Sequence, residues 1–159
     1  MPIINRRHQQ GSSLIEVMIA LLILAIGLLG FAGMQTRGLV TGRQAFLHSQ
    51  AELLAEDMLE RIRANKSQAS LYTMGIADAG IDNGCDTKSC TAIELRQWDQ
   101  FKWQSRMASS LPGGVGEVLA IIGGNPYTTV KITVHYDLDK VSASDADKYK
   151  YVLSSQIYQ

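Results

Sequence analysis

Hydrophobic and polar positions change period along this chain, and each change marks an element. Val17 to Met34 is an apolar run of 18 residues without one charge. As a helix rising ~1.5 Å per residue it would span about 27 Å, close to the hydrocarbon thickness of a bilayer. Farther on, Leu47, Ala51, Leu54, Met58 and Ile62 recur at spacings of 4, 3, 4 and 4. That spacing puts them on one helical stripe, with Glu52, Glu56, Glu60 and Arg63 opposite and Asp57 and Arg61 placed as an i, i+4 pair. Arg61, Arg63 and Lys66 supply positive charge where a helix dipole favours it. Together these patterns predict one helix of about 50 residues, hydrophobic all round in its first half and amphipathic in its second, far longer than a globular average.

Residues 66 to 90 read as a loop punctuated by Gly75, Gly80 and Asp82-Asn83-Gly84. Thr91-Ala92-Ile93-Glu94 has the form of a capping box opening a second helix, which Pro112 ends at the latest. Leu95, Trp98, Phe101 and Met107 are expected on its inward face, as an aromatic stripe of core type. After the Pro112-Gly113-Gly114 turn, Val115 to Ile122 predicts a strand, and Gly123-Gly124-Asn125-Pro126 a second turn. Val130, Ile132, Val134 and Tyr136 alternate with Lys131, Thr133 and His135, as in a half-buried antiparallel strand. The polar loop Asp139 to Lys148 precedes a last strand, Tyr149 to Tyr158. The expected class is α+β, a long helix packed on a small antiparallel sheet.

The chain's 159 residues allow one domain, with roughly the last 90 supplying a globular core. Lys plus Arg number 15 and Asp plus Glu 15, and Arg6 and Arg7 lie ahead of the apolar run in a segment without acids. Positive charge there keeps that end cytoplasmic. Beyond Gly11 the balance is slightly acidic, so the total predicts no broad nucleic-acid surface; the local basic group Arg96, Lys102 and Arg106 is the one candidate patch. Cys85 and Cys90 enclose four residues and have no further metal ligands nearby. In an oxidising compartment they are expected to form a disulfide worth about 2 kcal/mol by chain entropy.

Catalytic chemistry is not legible. His8, His48 and His135 have no metal or triad spacing and read as surface residues. Gly113-Gly114-Val115-Gly116 lacks the Lys and Ser/Thr of a phosphate loop and reads as a turn. No enzyme, cofactor or metal is expected.

Chemistry done on the chain is more legible. The junction Gly11-Ser12-Ser13-Leu14-Ile15-Glu16 stands between the basic leader and the apolar run, whereas a common secretory signal is cut after its apolar region. The stretch from Gly11 to Gln35 resembles the class III signal and N-terminal helix of type IV pilins and type II secretion pseudopilins. The segments A-I-G-L-L-G-F-A-G-M-Q at 25 to 35, A-E-D-M-L-E-R-I-R-A-N at 55 to 65 and L-P-G-G-V-G-E-V at 111 to 118 resemble minor pilins of the PilV type.

The resemblance implies a leader of residues 1–11, a transmembrane and filament-core helix over 12–34, its amphipathic continuation over 35–65 and a periplasmic pilin domain over 66–159. It implies that a prepilin peptidase cuts between Gly11 and Ser12 and methylates the new amine of Ser12, where the family usually has Phe. Glu16 is then the fifth mature residue. A carboxylate at the membrane edge is costly enough to be a functional candidate, and pairing with a neighbouring subunit's N-terminal amine would fix axial register. The implied role is a subunit that primes type IV pilus assembly and joins a tip complex. Its implied partners are the major pilin, other minor pilins and the inner-membrane assembly platform, with lipid around it before assembly. A pseudopilin of a type II secretion system is the alternative within the superfamily; a tip module binding DNA or surfaces is the alternative in kind. Gly27, Gly30, Gly33, Gly38 and Gly42 suit either close helix packing or local unwinding, and no proline lies between Ser12 and Ala64.

Overall fold

The structure is a computed structural model that describes residues 13–122, 127–137 and 149–158. The expected leader, the Gly11–Ser12 junction, the turn at 123–126 and the polar loop at 139–148 lie outside the described residues. The chain divides into two compact units, residues 1–42 and 43–159. Helix α1, Leu14–Ala64, is 51 residues long and contributes to both. It is followed by a short 3₁₀ helix, Lys66–Leu71, then α2, Ala92–Ser110, and strands β1, Val115–Ile122, β2, Tyr127–His135, and β3, Lys150–Tyr158.

In the first unit every described residue of α1 is exposed, including Leu21, Leu22, Ile23 and Leu24. Among the described residues of that unit no apolar side chain is buried, so the helix there is held chiefly by its backbone ladder. By length and composition it can cross a membrane.

In the second unit α1 supplies one wall of a core. Leu47, Ala51, Leu54, Met58 and Ile62 are buried as their spacing predicts, and Ala55 and Leu59 widen the stripe. The sheet is antiparallel in the order β1-β2-β3. Val118, Val130, Ile132, Val134 and Ile157 face that stripe in the same core. Register pairs Val118 with Ile132 and Ile132 with Leu153, so alternate residues on all three strands share the inner face. A long helix packed on a small antiparallel sheet is the fold expected from the sequence.

Three expectations are corrected. The buried face of α2 carries Asp99, Gln100, Trp103 and Met107, while Leu95, Trp98 and Phe101 are half-buried. The inward face is rotated because two polar residues on it find partners inside. Residues 66–90 are not loop throughout, since the 3₁₀ helix buries Ala69, and Tyr72 and Met74 follow it into the core. His135 is not a surface residue: it is buried, with Nε2 3.8 Å from a Glu117 carboxylate oxygen.

The turns carry their own reasons. Thr91 and Glu94 form the reciprocal capping box expected of them, the Thr91 N–H donating to Glu94 at 2.8 Å. That bond, then the one from the Thr91 hydroxyl, holds the Glu94 carboxyl below its ordinary range. Gly80 sits at φ 67° with its α-carbon against the α2 backbone at Gln97 and Phe101, where no side chain fits. Gly116 lets β1 lie on the Trp103 ring, which a β-carbon would enter.

Candidate functional site

The functional candidates fall into three places: the start of α1, a polar clamp beside its end, and the disulfide loop. At the start, the Ser13 backbone carbonyl accepts from the Glu16 N–H at 2.9 Å and the Val17 N–H at 3.3 Å. Glu16 therefore lies in the first turn, where a helix dipole favours negative charge. It is exposed and forms no ion pair among the described residues. Its carboxylate is available to a group from outside the chain.

The clamp joins the last turns of α1 to the 3₁₀ helix and α2. Arg61 donates to Asp57 at 3.1 Å, the i, i+4 pair legible in the sequence, and to Asp99 at 2.9 Å, which is not. Asp99 is buried and also accepts from the Tyr72 hydroxyl at 2.7 Å. Asn65 donates to the Tyr72 oxygen at 3.2 Å and to the Ala92 carbonyl at 2.8 Å. Gln100 donates to the Tyr72 carbonyl, and the Trp103 indole donates to the Leu54 carbonyl at 2.7 Å. Each buried polar group here has a partner, which is what makes its burial tolerable. Burial opposes the Arg61 charge, but its hydrogen bonds and attraction to Asp57 and Asp99 outweigh that and raise its pKa. Burial, then the Asp99 bond and charge, push the Tyr72 phenol above its ordinary value.

Cys85 and Cys90 form the expected disulfide, with an S–S distance of 2.02 Å and Cα atoms 5.6 Å apart. The loop around it rests on α2: Asn83 donates to the Glu94 carbonyl and to Gln97, and Lys102 lies 3.7 Å from Asp86 and over the Trp98 ring. The basic group Arg96, Lys102 and Arg106 is not a shared patch. Arg96 donates to the Leu71 carbonyl, Lys102 faces Asp86, and Arg106 pairs with Asp57 at 3.1 Å. The carboxylates Asp86 and Asp57 offset the charge of Lys102 and Arg106, whereas the neutral Leu71 carbonyl leaves that of Arg96 in place.

No nucleophile and base meet at any of these places, and no group of three or more potential metal ligands occurs among the described residues. His48 is exposed and stacks edge-on against Tyr151 at 5.4 Å. The residues that sequence reasoning missed are Tyr72, Asp99 and Trp103. Their only sequence signal is the polar pair Asp99-Gln100 opposite Arg61 in charge, which reads as surface until the helices are placed together.

Two family profiles match the chain. Residues 6–32 match the prokaryotic N-terminal methylation motif, a range that contains Gly11, Ser12 and Glu16. Residues 33–101 match the Tt1218-like family, described as type IV pilin Tt1218. No curated protein and no solved structure matches the chain. The methylation motif implies processing by a prepilin peptidase and assembly with other pilins. With the apolar helix it indicates membrane anchoring before entry into a pilus. Together with a long N-terminal helix on a three-stranded antiparallel sheet, the two matches support a type IV pilin.

Proposed function

We propose that this chain is a minor pilin of the PilV type, which primes assembly of a type IV pilus and is built into it within a tip complex. The observation that carries the reading is the junction at Gly11: a cut there removes the basic leader and leaves the apolar half of α1 on the mature subunit. The prepilin peptidase cuts between Gly11 and Ser12 and methylates Ser12. Residues 12–34 then cross the inner membrane, 35–65 continue the helix, and 66–159 lie in the periplasm until the subunit is extracted into the fibre.

Glu16 supplies the register. Once lipid is replaced by neighbouring helices, an unpaired carboxylate there is expensive. The N-terminal amine of an adjacent subunit carries the opposite charge, and pairing the two offsets both burial costs. Support for the minor, PilV-like role comes from the segments at 55–65 and 111–118. Their residues have structural work: Asp57 and Arg61 in the clamp, Gly116 against Trp103.

Deleting the gene should lower surface pilus number at least tenfold, and quantitative mass spectrometry of sheared pili should find this subunit far below the major pilin. Normal piliation in the deletion, or stoichiometry matching the major subunit, contradicts the minor-pilin reading. Glu16→Ala should be cleaved normally and still be missing from sheared pili. Normal incorporation of that variant removes the register role.

A further inference from the structure

The two edges of the sheet are not equivalent. On β1 the outward backbone groups are closed one after another. Gly116 is bonded at both N and O by the Gln104 side-chain amide, at 3.3 and 2.8 Å. Val118 exchanges two bonds with Met74, at 2.8 and 2.9 Å, and the Ala120 N–H donates to the Thr73 hydroxyl at 3.1 Å. No added strand can bond there without displacing these groups.

These partners also fix the phase of the ladder. Because 116, 118 and 120 point outward on β1, residues 129, 131, 133 and 135 of β2 bond to β1, and 128, 130, 132 and 134 bond to β3. On β3 the inward bonds therefore belong to Tyr151, Leu153, Ser155 and Ile157, and Val152, Ser154 and Gln156 direct their N–H and C=O outward. Among the described residues none of those outward groups has a partner. Among the described residues no proline, bulge or covering side chain blunts this stretch, and these are devices by which exposed edges are often closed.

Beside the open edge runs a row of charge on α1. Glu52, Glu56 and Glu60 are exposed at successive turns. Tyr151 of β3 donates to Glu52 at 3.5 Å, and Arg63 donates to Ser155 of β3 at 3.2 Å while pairing with Glu60. Arg63 thus neutralises Glu60, leaving Glu52 and Glu56 without a cationic partner among the described residues. An added strand would place alternate side chains over this row.

We propose that the open edge of β3 receives an extended segment of a different protein by strand addition, and that the segment carries lysine or arginine toward Glu52 and Glu56. Main-chain bonds supply the attachment and the carboxylates select the sequence. A second copy of this chain is a poor occupant, because edge-to-edge pairing brings two such acidic rows together. The inference does not depend on the subunit's place in a pilus.

The test uses the full chain in zwitterionic micelles and amide hydrogen exchange read by NMR. The probe is a capped seven-residue peptide alternating lysine and threonine at millimolar concentration, with the glutamate-for-lysine peptide as comparison. The lysine peptide should slow exchange at Val152, Ser154 and Gln156 at least tenfold, and the glutamate peptide should not. Ser154→Pro removes an outward N–H and no bond to β2, so it should keep the fold and abolish the slowing. Glu52→Gln with Glu56→Gln should cut the slowing below threefold. The proposal is overturned by slow exchange at these amides in the free chain, which means the chain covers its own edge. Slowing that grows with protein concentration alone overturns it too, by naming a second copy as occupant. Equal slowing by both peptides, or none by the lysine peptide, also overturns it.

Discussion

The two parts of α1 use the same backbone and opposite surroundings. Up to Gly42 every described side chain of the helix is exposed, whereas from Leu47 onward a stripe of seven residues is buried against strands and α2. The first part has no packing partner among the described residues of its own unit, and its apolar surface suits lipid or other apolar helices; the second is held by its own core. A change in the second part should therefore be felt in the isolated protein, and a change in the first only in a membrane or an assembly.

The largest expected effect breaks the comparison at Trp103. Trp103→Ala empties the centre of the second unit and removes the bond to Leu54, costing about 4 kcal/mol in chemical unfolding of the micelle-bound chain. Leu24→Ala, at a residue 57% exposed, should change the same transition by less than about 0.5 kcal/mol. Similar losses from both would mean that the two parts are not energetically distinct.

Next is the clamp. Asp99→Ala removes one of the two carboxylates on Arg61 and the acceptor of the Tyr72 hydroxyl together, and should cost about 3 kcal/mol. Tyr72 also gives a pH signature. Its folded pKa lies above the unfolded value of 10.0, so its contribution is complete below that pH and declines as pH rises past it. Unfolding free energy should fall above about pH 10, more steeply in the native chain than in Tyr72→Phe.

A smaller effect belongs to the disulfide. Paired Cys85→Ser and Cys90→Ser substitutions should cost about 2 kcal/mol, because the closed loop is short, and should leave α1 helical by circular dichroism. The smallest is at the α2 cap: Thr91→Ala should cost about 1 kcal/mol. Glu94 has a lowered folded pKa, so its share of the cap is present above the unfolded value and is lost as pH falls through the folded one. Acid titration of native and Glu94→Gln chains should show that difference.

How much of this was legible follows from where each signal resides. The long helix, the stripe from Leu47 to Ile62, the capping box, the span of β1 and the disulfide depend on near neighbours in sequence, and all were readable there. What escaped depends on pairs distant in sequence. Asp99 is 38 residues from Arg61 and 27 from Tyr72, so no local pattern marks it as buried, and the inward face of α2 differs from the one expected. His135 was misread for a similar reason, since its carboxylate neighbour Glu117 lies on another strand. Closure of the β1 edge by Gln104, Met74 and Thr73 has no sequence pattern, because α2 and the segment after the 3₁₀ helix supply it from separate parts of the chain. The candidate residues Gly11, Ser12 and Glu16 came from a motif, and the described structure adds only the first-turn position of Glu16.

The central claim is that the exposed apolar part of α1 is the retained N-terminus of a filament subunit. The most direct measurement is the intact mass of the chain expressed with and without a prepilin peptidase, with the mature N-terminus read by fragmentation. The account requires a peptidase-dependent product beginning at Ser12, with or without an added methyl group. An uncut chain, or one cut after the apolar run, would contradict it.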